Sequence, residues 1–193
     1  MNAANAITLS RFPMLFVIAA LLYWPFPFAR TLAFGFYLAT GFSDWLDGYI
    51  ARHCQMVSNF GRFMDALSDK ILTLGLLILF LTLQILPPIT LFVVLLMLGR
   101  EFFVTGIRLL AISKSIVISA ERSGKIKTIV QMVSIGAFIC AEAIDYDFQF
   151  IPYSGALAMA MYYFGMLLFI VATFCVIESG IHYAMKYRNL FDG

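Results

Sequence analysis

Charged residues are scarce in this 193-residue sequence. They make up 12% of it, against about 25% in a typical soluble domain. Hydrophobic residues account for 62%. This balance excludes an ordinary soluble domain and indicates a polytopic membrane protein. The formal net charge of +2 is small, and we expect no nucleic-acid partner.

Cysteine is also rare. The three cysteines, Cys54, Cys140 and Cys175, show neither a CxxC motif nor a paired spacing. This pattern excludes a disulfide framework and a zinc site, and isolated thiols in apolar surroundings favour a packing role. The first residues lack a basic segment and a persuasive cleavage site, so we expect no removable signal peptide.

Apolar segments recur along the whole chain and predict an all-α protein, a six-transmembrane-helix bundle that forms a single domain over residues 1–193. The predicted spans are Leu9–Tyr23, Thr31–Ala51, Phe60–Leu86, Ile89–Ser113, Thr128–Ile144 and Gly155–Tyr187. Proline pairs support two of the breaks, because Pro25 and Pro27 follow span one and Pro87 and Pro88 precede span four.

The charges at and beyond the ends of these spans predict the orientation of the bundle. Most basic residues fall on one side: Arg52, His53, Lys114, Arg122, Lys125, Lys127, Lys186 and Arg188. The opposite side has Arg30, with Asp145 and Asp147 in the last outer loop. Because basic residues concentrate on the cytoplasmic side of a membrane, we expect both termini in the cytoplasm.

Four aspartates lie in one otherwise apolar stretch: Asp44, Asp47, Asp65 and Asp69. Each carboxylate costs roughly 2.5–3.5 kcal/mol in a hydrocarbon environment, so the group needs compensating positive charge. Helical spacing places one pair on span two and one on span three. The hydrophilic link His53–Asn59 should make these spans antiparallel neighbours. Facing carboxylate pairs suit Mg²⁺ or Mn²⁺ and predict a site for two ions.

Small residues separate this prediction from two alternatives. Intramembrane carboxylates can also pair with arginines, or line a path for cations as in a transporter. Gly48 and Ala51 share the acidic face of span two. They have no role in a simple ion pair, but they leave room for a ligand against the helix backbone.

Span four carries three further charges, Arg100, Glu101 and Arg108. Glu101 and Arg108 are too far apart along a helix for a direct pair, so each needs another partner. One interpretation pairs these charges with each other or with the aspartates. The other is an anion pocket in which Arg100 and Arg108, with Lys125 and Lys127 of the next segment, hold a phosphate. For Arg122 and Lys127 we expect a role in topology or in contact with anionic lipid headgroups.

The spacing Asp44-x2-Asp47-Gly48-x2-Ala51-Arg52-x8-Gly61-x3-Asp65-x3-Asp69 resembles the signature of the CDP-alcohol phosphotransferases at all eight specified positions. Two further stretches resemble the bacterial phosphatidylglycerophosphate synthase branch of that family. They are N-x2-T-x2-R over Asn5–Arg11, and R-E-x3-T-G-x-R followed by G-K-x-K-T within Arg100–Thr128. Recognisable motifs end there, and an apolar helix pattern follows.

The resemblance implies a reaction and a role for each matching residue. The phosphatidyl group of CDP-diacylglycerol would pass to sn-glycerol 3-phosphate, releasing CMP. Asp69 would be the general base and would also contact metal. The other implied residues are Asp44, Asp47 and Asp65 as metal ligands, Gly48, Ala51, Arg52 and Gly61 for CDP-diacylglycerol, and Thr8, Arg11, Arg100, Arg108 and Lys125 for glycerol phosphate.

The resemblance also implies a homodimer in a bacterial cytoplasmic membrane. The acyl chains would enter from the lipid bilayer, and the active site would face the cytoplasm. Two other acceptors keep the same chemistry: phosphatidylglycerol, as in a cardiolipin synthase, or an inositol phosphate. A basic pocket suits any phosphorylated small acceptor, so charge alone does not separate glycerol phosphate from inositol phosphate.

Overall fold

The computed structural model describes the backbone of residues 3–54, 59–113 and 122–187, and the side chains of residues 11–43, 67–111 and 126–187. Within these ranges the secondary structure is helical, which confirms the all-α prediction with six α-helices. They are α1 (Ala3–Tyr23), α2 (Ala29–Cys54), α3 (Asn59–Thr82), α4 (Leu91–Ser113), α5 (Arg122–Asp147) and α6 (Ser154–Lys186). A short 3₁₀ turn, Pro88–Thr90, leads into α4.

Within the part of the chain that the structure describes, three stretches are long and apolar enough to cross a membrane: Pro88–Ala111, Ile126–Asp147 and Ser154–Lys186. The apolar part of α1, Arg11–Tyr23, is shorter. Large apolar side chains such as Phe92, Phe102 and Phe174 are exposed on the outside of the bundle. Exposed apolar surface of this extent is typical of contact with lipid rather than water.

Most helix ends differ from the predicted span ends by one to six residues, and two of these differences affect the packing. Helix α3 ends at Thr82, not at Leu86, because Gln84 adopts a left-handed backbone (φ 59°) and turns the chain. Helix α5 continues to Asp147, so Asp145 and Asp147 belong to its last turn rather than to a loop. Oδ2 of Asp147 accepts hydrogen bonds from the backbone N–H and the hydroxyl of Thr31, both at 2.7 Å. This contact joins the end of α5 to the start of α2.

The core forms where α3 packs against α1, α4 and α5. Leu76, Leu77 and Phe80 of α3 and Phe138 of α5 are fully buried. The rings of Phe80 and Phe138 meet edge to face with centroids 5.8 Å apart. Helix α3 also contacts α1 and α4, while α6 packs against α4 and α5. This packing sets the register in which the polar residues of α3, α4 and α5 meet.

Candidate active site

The backbone places the eight signature residues on two consecutive helices, as predicted. Asp44 to Arg52 lie in the last turns of α2, and Gly61 to Asp69 lie in the first half of α3. The side chains of residues 44–66 are outside the described part, so the meeting of the carboxylates stays a prediction. Among the side chains that the structure describes, no three His, Cys, Asp or Glu residues are grouped so that they could hold a metal ion. Of the four predicted ligands, Asp69 alone belongs to these described side chains.

Asp69 is the signature residue whose side chain is described. It is half-buried on α3 and lies within electrostatic range of Tyr37 on α2. The Tyr37 hydroxyl donates a hydrogen bond to the carbonyl of Met132 on α5 at 2.6 Å. The candidate base therefore lies near a tyrosine that links α2 to α5.

The carboxylate of Glu101 on α4 joins three cations from three helices. Its Oε1 contacts Nη1 of Arg100 at 2.9 Å and also accepts from Nζ of Lys127 on α5. Its Oε2 lies 3.7 Å from Nζ of Lys70 on α3. The Glu101 side chain is 12% exposed. We call Lys70, Arg100, Glu101 and Lys127 the Glu101 cluster; three cations share one carboxylate, so positive charge is in excess within it.

Both arginines of α4 are also held by α6. Nη2 of Arg100 donates to the hydroxyl of Ser179 at 2.9 Å, and Nη2 of Arg108 donates to the hydroxyl of Tyr183 at 3.0 Å. The Nε atoms of both arginines are buried and have no hydrogen-bond partner within the described structure. A buried donor without a partner is costly, so these groups are suited to an anionic ligand.

The structure brings together part of the predicted anion pocket. Arg100 and Arg108 both lie within electrostatic range of Lys70. Arg11 is buried on α1. The side chains of Thr8 and Lys125 are outside the described residues, although their backbones belong to α1 and α5.

The prediction that Glu101 needs a partner other than Arg108 is confirmed, since Glu101 pairs with Arg100, Lys70 and Lys127. Of the two roles expected for Lys127, contact with lipid headgroups does not fit the structure, because the side chain is 5% exposed and paired with Glu101. A role of Lys127 in topology stays a prediction. From the sequence alone, a basic residue near a span end could lie at the lipid headgroups or pair with a buried carboxylate. Only the position of α4, which carries Glu101, distinguishes the two for Lys127.

Sequence reasoning missed Ser179 and Tyr183. The last turns of α6 were interpreted as part of an apolar helix pattern. A weak signal was present, because Glu178, Ser179, His182 and Tyr183 interrupt the apolar run at helical spacing. Without a known neighbour for this face, the spacing did not indicate a partner.

Comparison with known proteins identifies the family. The model of the CDP-alcohol phosphatidyltransferase family matches residues 1–176. A relative from Bacillus subtilis (strain 168), named CDP-diacylglycerol–glycerol-3-phosphate 3-phosphatidyltransferase, is 29% identical, with 96% of this chain and 94% of the relative covered. A relative from Rickettsia typhi with the same name is 27% identical over 98% of this chain and 99% of its own.

A third relative, from Mycobacterium tuberculosis (strain H37Rv), is named a probable phosphatidylglycerophosphate synthase. It is 32% identical, with 96% of this chain and 81% of the relative covered. The family match spans the α2–α3 signature and the α4 residues of the Glu101 cluster. The chain therefore belongs to the CDP-alcohol phosphatidyltransferase family.

Proposed function

We propose that this protein transfers the phosphatidyl group of CDP-diacylglycerol to sn-glycerol 3-phosphate, giving phosphatidylglycerol phosphate and CMP. The observation that carries the proposal is the complete signature on α2 and α3. Lys70, the residue after Asp69 on α3, joins this signature to the Glu101 cluster. The names of the bacterial relatives favour glycerol 3-phosphate as the acceptor.

The family generally depends on divalent metal, and the donor set of this chain fits such ions. Four carboxylates on two consecutive helices supply the hard oxygen ligands that Mg²⁺ and Mn²⁺ prefer. Asp44, Asp47, Asp65 and Asp69 would hold two ions. When bound, the ions would neutralise the diphosphate of the donor and stabilise the departing CMP.

Residues of α2 and α3 would bind the donor and activate the acceptor. Gly48 and Ala51 would leave room for the cytidine nucleotide, and Arg52 would contact its phosphates. Gly61 would permit a close approach of the nucleotide to α3. Asp69 would take the proton of the attacking glycerol hydroxyl. A carboxylate is a weak base, so positioning of the acceptor must supply much of the rate increase.

The residues of α4 would bind the phosphate of the acceptor. Arg100 and Arg108 each keep a buried Nε donor without a partner among the described residues. Arginine forms paired, charge-assisted hydrogen bonds with phosphate oxygens. Lys125, Thr8 and Arg11 would complete this pocket.

The setting of the enzyme is part of the same proposal. The protein would be a homodimer in a bacterial cytoplasmic membrane, with its active site on the cytoplasmic side. The acyl chains of CDP-diacylglycerol would lie in the lipid bilayer. The basic residues near the α2 and α4 ends support this orientation.

Release of CMP from purified protein tests the proposal. The assay supplies CDP-diacylglycerol, Mg²⁺ or Mn²⁺, and one alcohol from a panel of sn-glycerol 3-phosphate, phosphatidylglycerol and inositol phosphate. We expect release with glycerol 3-phosphate, loss of release on chelation by EDTA, and recovery when metal is returned. Release with another alcohol alone would refute the acceptor but keep the chemistry. Folded protein that releases no CMP with any alcohol would refute the proposed reaction.

A further inference from the structure

We propose that Ser179 and Tyr183 of α6 are positioning residues that orient Arg100 and Arg108 toward the phosphate of the acceptor. This inference rests on the proposed function. The two α6 residues contact the arginines through hydrogen bonds, and they lie beyond residue 176, where the family match ends. They are therefore outside the signature and outside every motif of the sequence analysis.

Ser179 presents an acceptor to Arg100. Its hydroxyl donates to the carbonyl oxygens of the preceding turn, Cys175 at 2.6 Å and Val176 at 3.1 Å. A hydroxyl has one proton and two lone pairs, so the lone pairs are left for the guanidinium. Nη2 of Arg100 occupies one of them at 2.9 Å. Since Ser179 is buried on α6, it is a rigid point of attachment for Arg100.

Tyr183 holds Arg108 in two ways. Its hydroxyl accepts from Nη2 at 3.0 Å, and the guanidinium carbon lies 5.7 Å from the centre of the ring. The latter distance is within the range of a cation–π contact. Tyr183 is 2% exposed and packs with Val104, Ile107 and Ala111 of α4. The phenol therefore has little freedom to move, and its hydrogen bond restrains Nη2 of Arg108 as well.

Gly180 permits the close approach that these contacts need. A Cβ atom at this position would lie 3.2 Å from Cγ of Arg100, a distance that forces the neighbour to shift. Ser179, Gly180 and Tyr183 thus form one arginine-contact face of α6. With their Nη2 atoms held on α6, both arginines keep the buried Nε donors described above for a ligand.

Steady-state kinetics of CMP release test this assignment. The variants are Tyr183→Phe, which keeps the ring and removes the acceptor, and Ser179→Ala. We expect each to raise the KM for sn-glycerol 3-phosphate about fivefold, which corresponds to about 1 kcal/mol. The KM for CDP-diacylglycerol and the kcat should stay within about twofold, because a contact made equally in the ground and transition states changes KM alone.

Two variants of the same chemistry serve as controls. Ser134→Ala removes another buried serine hydroxyl, which donates to the carbonyl of Gly165 at 2.8 Å. Tyr162→Phe removes a hydroxyl from α6, where the ring packs on Phe138. Both should leave the two KM values unchanged. Circular dichroism against temperature reports the folding of all four variants.

The outcomes separate this inference from the proposed function. Wild-type protein that uses glycerol 3-phosphate, with unchanged KM in Tyr183→Phe and Ser179→Ala, would overturn the positioning role and keep the function. Equal losses of kcat in the α6 variants and in the controls would show a structural effect and would also overturn it. Folded wild-type protein that releases no CMP with any alcohol would refute both.

Discussion

Replacement of Glu101 by glutamine tests the Glu101 cluster. Glutamine keeps the shape and one carbonyl acceptor, but it removes the charge that Lys70, Arg100 and Lys127 share. Removal of one partner from a buried ion pair costs about 3–5 kcal/mol. We take about 3 kcal/mol for Glu101→Gln, the lower end of that range, because the amide still accepts a hydrogen bond. For a chain of this size each kcal/mol lowers the unfolding temperature by about 2–4 °C.

We therefore expect Glu101→Gln to unfold roughly 6–12 °C below the wild type in detergent, followed by circular dichroism. Glu142→Gln is the matched control. Glu142 pairs with Arg30 at 3.5 Å, and its side chain is 29% exposed, so its loss should cost less than about 1 kcal/mol. If the two variants unfold at the same temperature, the Glu101 cluster contributes no more than a surface pair and our reasoning is refuted.

A double-mutant cycle isolates one pair within the cluster. Lys127→Met removes the cation and keeps much of the apolar stem, so the double variant has neither charge of the pair. We expect Glu101→Gln to cost less in the Lys127→Met background, by about 1–3 kcal/mol. Strict additivity of the two single changes would show that Lys127 and Glu101 do not interact.

Three further predictions concern the rest of the molecule. Asp69→Asn should abolish CMP release without loss of helix content, and a folded, fully active variant would refute the assignment of the base. Gly48→Leu should block nucleotide binding and CMP release. If the wild type carries metal ions into liposomes and the Gly48→Leu variant keeps this flux in full, the result would instead favour a cation transporter. Asp147→Asn weakens the charged contact with Thr31, so it should lower the free energy of unfolding by about 1–2 kcal/mol; an unchanged KM for both substrates checks that the effect is confined to stability.

The sequence by itself determined the helices and the placement of the signature residues on α2 and α3. A backbone in hydrocarbon must satisfy its hydrogen bonds internally, and apolar segments of about 20 residues have the length of a membrane-spanning helix. The six predicted spans accordingly correspond to the six helices. The signature depends on the spacing of Asp44 to Asp69 along two helices. Helical periodicity is a local property, and the backbone confirms the helical placement.

The tertiary structure decided which charges meet. Lys127 joins Glu101, and Arg100 joins Ser179, across 26 and 79 residues of sequence. The register of α3, α4, α5 and α6 depends on how their apolar faces pack, as Phe80 does on Phe138. Helical spacing shows which residues share a face, but it does not show which helix that face meets. For this reason the positive charges of α4 were visible in the sequence, while their partners on α5 and α6 were not.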